Sequence, residues 1–281
     1  MIVSTVSREA LLHVVKNLPA APRILAQLGN LLLDPNSDLS DVIALLKHDS
    51  GLTARVIRVS NSAAYGAGSR AGSLDEALLR VGFNEVYRLV GLAAVAQISD
   101  DSLHNYGVSG QKFRENSLFI AFVMEALAPA IEVDTRAAYT AGLLRSTGKI
   151  ALDRLMQGTR SLRSYAVVGR GRPLDAWEHE ILGMDNPAAA AAVLDEWKFP
   201  AQTVGALRDQ YRPGLQSNPV AHLLNVAAGV AEAAGYPMPG EQTYWQPTEA
   251  KRTIAGFDEF QLERARELAE TQFERAREAI G

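Results

Sequence analysis

The chain has 281 residues, of which 47% are hydrophobic and 21% are charged, an ordinary globular composition that excludes global disorder. It contains no cysteine, which excludes disulfides, thiolate zinc sites and cysteine nucleophiles and fits a reducing cytoplasm. The formal net charge of −4 gives no electrostatic reason to expect a nucleic-acid partner, and no apolar stretch reaches the ~20 residues of a membrane span. We therefore expect a soluble, cytoplasmic protein that binds neither nucleic acid nor a membrane.

Apolar residues at helical spacing predict five short helices, and no strand, in roughly the first hundred residues. Ser73 and Glu76 have the spacing of a capping box, which predicts a helix start, and Gly82 is typical of the residue that ends such a helix. The polar, glycine-containing segment 100–110 follows these helices. It is the best candidate for an internal boundary.

The helical pattern continues after this boundary. Asp134 is expected to cap a helix that runs through Leu144. Asn186 followed by Pro187 is interpreted as an N-cap with proline at the first helical position. Further helices are expected around residues 113–127, 149–156, 188–197, 201–211 and 219–234.

A last, highly charged helix is predicted from about Phe257 to Ile280, after a loop rich in proline and glycine. An isolated helix of this length is marginal in water, and its apolar stripe would be costly to expose. We therefore expect it to fold back onto the chain or to pair with a second copy. The residues expected to share its apolar face are Leu262, Ala265, Leu268, Ala269, Phe273, Ala276 and Ile280.

No motif for catalysis or for a metal ion is found among the acidic residues and the five histidines. The adjacent pair His48-Asp49 points in directions ~100° apart on a helix, so helix capping is the simpler interpretation. Glu178, His179 and Glu180 are interpreted as a solvated helix face. The residues therefore predict no catalytic group, no cofactor and no bound metal.

A series of short motifs lies in a fixed order between about residues 11 and 215. The most specific run extends from His48 to Gly66, and the later motifs include Ala141 to Leu144 and Glu180 to Gly183. In order and spacing these motifs resemble HDOD domains, bacterial signal-transduction domains related to the HD-type metal phosphohydrolases. The resemblance implies an all-α fold with a helical N-terminal lobe packed on a degenerate HD-like lobe. We predict that these lobes comprise residues 1–105 and 106–236, with a linker and C-terminal helix at 237–281.

The chain departs from the hydrolase pattern at the positions that the resemblance assigns to metal ligands. HD hydrolases hold their ions with histidines and an adjacent His-Asp pair, which supply imidazole and carboxylate lone pairs. Here Arg145 replaces the histidine of that pair, and a permanent cation opposes the binding of a divalent ion. The resemblance thus implies a vestigial pocket made of Asn116, Arg145, Ser146, Asn186, Gln210 and Tyr211.

The function expected from this resemblance is that of a non-enzymatic, regulatory signalling module. It would act through contacts with a signalling protein whose identity the sequence does not give, as a monomer or as a homo-oligomer. One alternative is a sensor that binds a nucleotide or another phosphorylated ligand in the vestigial pocket through Arg145. Another is residual metal-dependent phosphohydrolase activity at an unrecognised metal site. The interpretation that we favour over a binding pocket is that the six residues are now ordinary packing and surface positions.

Overall fold

The computed structural model describes residues 6–19, 21–32, 38–62, 70–98, 102–157, 164–169 and 171–280. Within these ranges the regular structure is helical, apart from one isolated bridge between Leu103 and Val108, and no strand is present. The predicted all-α class is therefore confirmed. Among the described helices, none combines the length and the apolar character needed to cross a membrane.

The helices follow one another with short connections. Those of the first hundred residues are α1 (Arg8–Lys16), α2 (Ala21–Leu31), α3 (Leu39–Lys47), α4 (Ser50–Ser60), α5 (Leu74–Val81) and α6 (Phe83–Ile98). The next are α7 (Gly110–Leu127), a 3-10 turn (Ala128–Ile131), α8 (Thr135–Leu144), α9 (Thr147–Leu155), α10 (Tyr165–Val168) and α11 (Leu174–Leu182). The last are α12 (Asn186–Glu196), α13 (Ala201–Asp209), α14 (Pro219–Ala233), α15 (Gln242–Trp245), α16 (Glu249–Ala255) and α17 (Glu259–Ile280).

These helices form two compact units. The larger unit comprises Met1–Leu18 and Ser99–Ala269, and thus contains α1, α7 to α16 and the first half of α17. The smaller unit comprises Pro19–Ile98 and Glu270–Gly281, and contains α2 to α6 and the end of α17. The division of the chain at residues 105 and 236 stays a prediction.

Two glycines of the larger unit allow its central helices to approach closely. A Cβ atom on Gly142 of α8 would lie 2.7 Å from the Cα of Ala121 in α7, so α8 could not pack on α7 as it does with any larger residue there. A Cβ atom on Gly148 of α9 would overlap the backbone of Asn186, at the start of α12. The start of α9 is therefore held directly against the start of α12.

The predicted helix termini are largely confirmed. The side chain of Ser73 accepts a hydrogen bond from the backbone of Glu76, but the Glu76 carboxylate bonds Gly72 and not Ser73, so the capping box is only half formed. Gly82 ends α5 with a φ of 78°. Asp49 is the N-cap of α4, in agreement with the capping interpretation of His48-Asp49.

The start of α12 differs by one residue from the prediction. Asp185, and not Asn186, is the N-cap, because its carboxylate accepts a hydrogen bond of 2.8 Å from the backbone of Ala188. Asn186 is the first helical residue, followed by Pro187 at the second position. The side chain of Asn186 is thereby free to point into the protein.

The C-terminal helix α17 is packed within the chain, as expected. Ala265, Ala269, Phe273 and Ala276 are all buried. The assignment of Leu268 to this apolar face is wrong, because its side chain is 48% exposed. The side chain of Ile280 lies outside the described residues. Homo-oligomerisation stays a prediction.

Candidate functional site

Two cations occupy the junction between α8 and α9. Arg145 directly follows α8, and Lys149 lies four residues later in α9. Both side chains contact the carboxylate of Glu241. The relative exposure is 0% for Arg145 and 1% for Lys149. Because burying an ionised side chain without a partner is very costly, each cation requires a counter-charge inside the protein.

Glu241 supplies that counter-charge. Its carboxylate accepts a hydrogen bond of 2.6 Å from Nη2 of Arg145, and it forms an ion pair with Lys149. Tyr211 and Trp245 also donate to this carboxylate, at 2.8 and 3.1 Å. Glu241 is fully buried, so all of these bonds form away from solvent. The Glu241 carboxylate therefore accepts hydrogen bonds from four different side chains.

Two amide side chains complete the surroundings of the Arg145 guanidinium. Oδ1 of Asn116 accepts from Nη2 at 2.9 Å, and Oε1 of Gln210 accepts from Nη1 at 3.2 Å. The amide groups then donate to backbone carbonyls, Asn116 to Tyr236 at 2.6 Å and Gln210 to Leu207 at 2.9 Å. Asn116 and Gln210 therefore connect Arg145 to the backbone on two sides.

A second carboxylate, that of Glu178 in α11, lies beside the Lys149 end of this cluster. It accepts a bond of 2.8 Å from the backbone N–H of Asn186 and one of 2.7 Å from the hydroxyl of Tyr106. Asn186 in turn accepts from Lys149 at 3.1 Å and donates to Tyr211 at 2.8 Å. The expectation of a solvated face is wrong for Glu178, because its side chain is fully buried where α11 faces α12.

The two carboxylates have opposite shifts in pKa. Burial raises the pKa of Glu178 to about 7, against the opposing influence of Lys149 and of the hydrogen bonds from Asn186. Burial would also raise the pKa of Glu241, but the adjacent Arg145 and Lys149 outweigh it and bring this pKa down to about 2. Glu241 is therefore ionised at neutral pH. Glu178 titrates near neutral pH.

Of the six predicted pocket residues, five lie together in one buried hydrogen-bonded cluster. Ser146 is also fully buried, but its hydroxyl has no hydrogen-bond partner among the described residues. We refer to the following residues as the Arg145 cluster: Asn116, Arg145, Lys149, Glu178, Asn186, Gln210, Tyr211 and Glu241.

Sequence reasoning missed three charged members of this cluster. Lys149 lies only four residues after Arg145, but α8 ends before Arg145 and Lys149 belongs to α9, so helical spacing alone does not bring them together. Glu178 carried no signal that distinguished it from Glu180, two residues later. Glu241 lies in a loop rich in proline and glycine, and its sequence neighbours give no indication of burial.

The residues of the cluster do not fit the divalent ion that the HD-type hydrolases use. An ammonium and a guanidinium group are in direct contact with the Glu241 carboxylate, and they would repel a metal ion there. Of the remaining groups only Glu178 is a carboxylate, and it already accepts hydrogen bonds from Asn186 and Tyr106. The others are amides and one tyrosine, and the cluster contains no imidazole donor. In the part of the chain that the structure describes, no three His, Asp or Glu residues are grouped as a metal site would require.

Comparisons with known proteins agree with this architecture. A curated protein of Treponema pallidum with no assigned function is 22% identical over 197 residues, and the alignment covers 69% of this chain. The chain spans about 37% of the length of that curated relative. The structure of a candidate phosphohydrolase from Shewanella amazonensis SB2B has 26% identity and a TM-score of 0.68, with 96% of this chain and 97% of the other covered. That of a candidate signal transduction protein from Marinobacter aquaeolei VT8 has 22% identity and a TM-score of 0.70, with 96% and 65% covered.

A family model matches most of the chain. The model of the HDOD domain matches residues 18–213, a range that includes all six predicted pocket residues, with Gln210 and Tyr211 near its end. Glu241 lies beyond the matched range. On this match, the chain belongs to the HDOD domain family.

Proposed function

We propose that this HDOD protein is a non-enzymatic signalling module that acts through contacts with other proteins. The observation that carries the proposal is the buried pairing of Arg145 with Glu241 at 2.6 Å. Arg145 stands where the resemblance to the HD hydrolases places a metal ligand. In this view the Arg145 cluster is a structural element and not a reaction centre.

The chemistry of phosphoester hydrolysis supports the proposal. Metal-dependent hydrolases need an ion with an open coordination position, at which water is activated and the phosphoryl oxygen is polarised. In the Arg145 cluster Arg145 and Lys149 instead share the Glu241 carboxylate as an ion-pair partner, and both side chains are buried. The two cations hold the segments around residues 116, 186, 210 and 241 together.

The names of the similar structures point to two different activities. One is a candidate phosphohydrolase and the other a candidate signal transduction protein. For this chain the donor set favours the second, because hydrolysis would require ligands that the cluster does not offer. A regulatory protein needs only a stable fold and a specific surface.

A sensor that binds an anion through Arg145 is the main alternative. Arg145 already bonds Glu241, Asn116 and Gln210 through its two terminal nitrogens. A ligand would have to displace Glu241, and breaking a buried ion pair costs about 3–5 kcal/mol. The geometry therefore favours a structural role for Arg145.

The absence of catalysis is tested with the purified full chain. It is assayed against bis(4-nitrophenyl) phosphate and a panel of nucleotides, each with added Mg²⁺, Mn²⁺, Fe²⁺, Zn²⁺ or Ni²⁺, and a mock purification serves as the control. We expect no turnover above the control and no stoichiometric metal by elemental analysis. Hydrolysis that is lost on chelation and restored by one metal ion per chain would overturn the proposal.

Action through protein contacts is tested by affinity capture from the cytosol of the native organism. We expect at least one signalling protein to be retained, and to bind the purified chain directly in a second experiment. If no captured protein binds the purified chain, the part of the proposal that concerns protein partners is wrong.

A further inference from the structure

A cleft of about 540 Å³ opens in the larger unit, away from the side chain of Arg145. Its charged lining residues are Arg212 and Lys251, and within the described residues no aspartate or glutamate lines it. The chain as a whole has a formal net charge of −4. A cleft with two cations in its wall on an acidic protein favours an anionic ligand.

Of the two cations in the cleft, Lys251 is the one that no described carboxylate pairs with. Its ammonium donates to the backbone carbonyl of Tyr244 at 2.6 Å, and none of the described carboxylates forms an ion pair with it. The residue is half-buried, and burial lowers its pKa. A partly desolvated cation without a counter-charge is unfavourable, and a bound anion would relieve this cost.

Arg212 is held at the same cleft by a different set of contacts. Its Nη1 bonds the carboxylate of Asp175 at 2.5 Å, and its guanidinium lies 5.1 Å from the centre of the Tyr244 ring. The side chain is nevertheless 67% exposed. Asp175 cancels part of the charge of Arg212, so we expect Lys251 to be the main contact of an anion.

The other walls of the cleft are largely apolar. Pro173, Pro213, Val226 and Ile254 line it, and Ile254 is 51% exposed. A volume of this size falls in the range of pockets that enclose a small organic ligand. An inorganic ion alone would leave these apolar surfaces in contact with water.

We propose that this cleft binds a small phosphate monoester with an organic ring, of about the size of a nucleoside monophosphate. The phosphate contacts Lys251, with Arg212 nearby in the wall, and the ring packs against the proline and aliphatic side chains. The site shares Tyr211 with the vestigial pocket but does not include Arg145, and it does not depend on the proposed function.

The cleft and the Arg145 cluster share one aromatic residue. Tyr211 lines the cleft, and its ring stacks on that of Tyr244 with a centroid distance of 4.0 Å. The hydroxyl of the same Tyr211 donates to Glu241 inside the cluster. A ligand in the cleft would therefore contact a side chain that is fixed by the buried ion pairs.

The proposal is tested by calorimetric titration of the full chain with AMP, adenosine and inorganic phosphate. We expect saturable binding of AMP, and binding of adenosine and of phosphate that is at least about tenfold weaker, because each lacks one half of the contacts. Lys251→Gln should weaken AMP binding by about 10- to 100-fold, since a charge-assisted hydrogen bond is lost.

Two further variants keep the test independent of folding defects. Thr243 is exposed in the cleft wall, so Thr243→Glu should leave the fold intact and weaken AMP binding by introducing a negative charge. Lys47 is an exposed lysine that does not line the cleft, so Lys47→Gln should bind AMP like the parent. Thermal melting of each variant verifies folding.

Three results would overturn the proposal. The first is that the parent shows no saturable binding of AMP at millimolar concentration. The second is that both Lys251→Gln and Thr243→Glu bind AMP as the parent does, which would place the ligand elsewhere. The third is that inorganic phosphate binds as tightly as AMP, which would exclude a role for the organic ring.

Discussion

Glu241 is the carboxylate on which the two buried cations depend. Glu241→Ala removes the ion-pair partner that Arg145 and Lys149 share, and both cations remain buried. Breaking a buried ion pair from one side costs about 3–5 kcal/mol, so we expect the free energy of unfolding to fall by this amount. Equilibrium unfolding in urea measures the change.

A matched control for this substitution is Glu278→Ala. Glu278 is exposed in the last turns of α17, and its removal should change the free energy of unfolding by no more than about 0.5 kcal/mol. Equal losses in the two variants would show that the Arg145 cluster contributes nothing specific to stability.

The raised pKa of Glu178 predicts that the free energy of unfolding decreases as the pH rises towards neutrality. Its pKa rises from 4.5 to about 7 on folding, so the contribution to stability is fully present below pH 4.5 and is lost as the pH rises through about 7. The shift corresponds to roughly 3 kcal/mol. Urea unfolding at several pH values between 4.5 and 8 should show this loss in the parent, whereas Glu178→Gln should flatten it.

The control for the pH dependence lies on the same helix. Glu180 is exposed in α11 and pairs with Arg172, so Glu180→Gln should retain the pH dependence of the parent. Glu241 acts in the opposite direction, because its pKa is lowered from 4.5 to about 2. Its contribution is present above pH 4.5 and is lost only as the pH falls through about 2. A parent whose stability rises between pH 5 and 7.5 would contradict the environment described for Glu178.

At the scale of the helices, two adjacent residues at the start of α12 have different roles: Asp185 caps the helix, and Asn186 is buried. Asp185→Ala removes the N-cap and should cost about 1 kcal/mol. Asn186→Ala removes the hydrogen bonds to Glu178, Lys149 and Tyr211, and should cost more because buried polar groups lose their partners. Urea unfolding of the two variants shows which substitution lowers the free energy of unfolding more. The reverse order would contradict the buried hydrogen bonds described for Asn186.

The C-terminal helix offers a similar comparison between two apolar residues. Phe273 is 1% exposed and Leu268 is 48% exposed. Phe273→Ala should therefore cost about 3–5 kcal/mol, and Leu268→Ala should cost much less. Thermal melting distinguishes the two variants. Unchanged melting in Phe273→Ala would show that α17 is a free helix.

At the scale of the whole molecule, amide protection should follow the buried helices of the larger unit. All residues of α8 from Ala138 to Leu144 are buried, and most residues of α7 and α12 are buried as well. Amide exchange in these helices should require extensive unfolding, whereas that of the exposed turns of α16 should be fast. Hydrogen exchange followed by mass spectrometry gives the comparison. Fast exchange in α7 and α8 would contradict the packing described here.

Local sequence determined the fold class and most helix boundaries of this protein. Capping by Ser73, Asp49 and Asp134 depends on bonds between residues close in the chain, so it can be predicted from spacing alone. The order of short motifs likewise identified the family and brought the six pocket residues to attention. The C-terminal helix was predicted as packed from its periodicity, although periodicity alone placed Leu268 on the wrong side.

Only the tertiary structure decided what the pocket residues do. Arg145 and Glu241 are 96 residues apart in the chain, and nothing near either position indicates that they form a pair. The burial of Glu178 beside the exposed Glu180 likewise depends on which helix covers that face. Interactions within one helical turn are fixed by chain geometry, but burial and long-range ion pairs depend on how the helices pack. This is why the six pocket residues could be predicted from the sequence, but not Glu241, the carboxylate that pairs with Arg145.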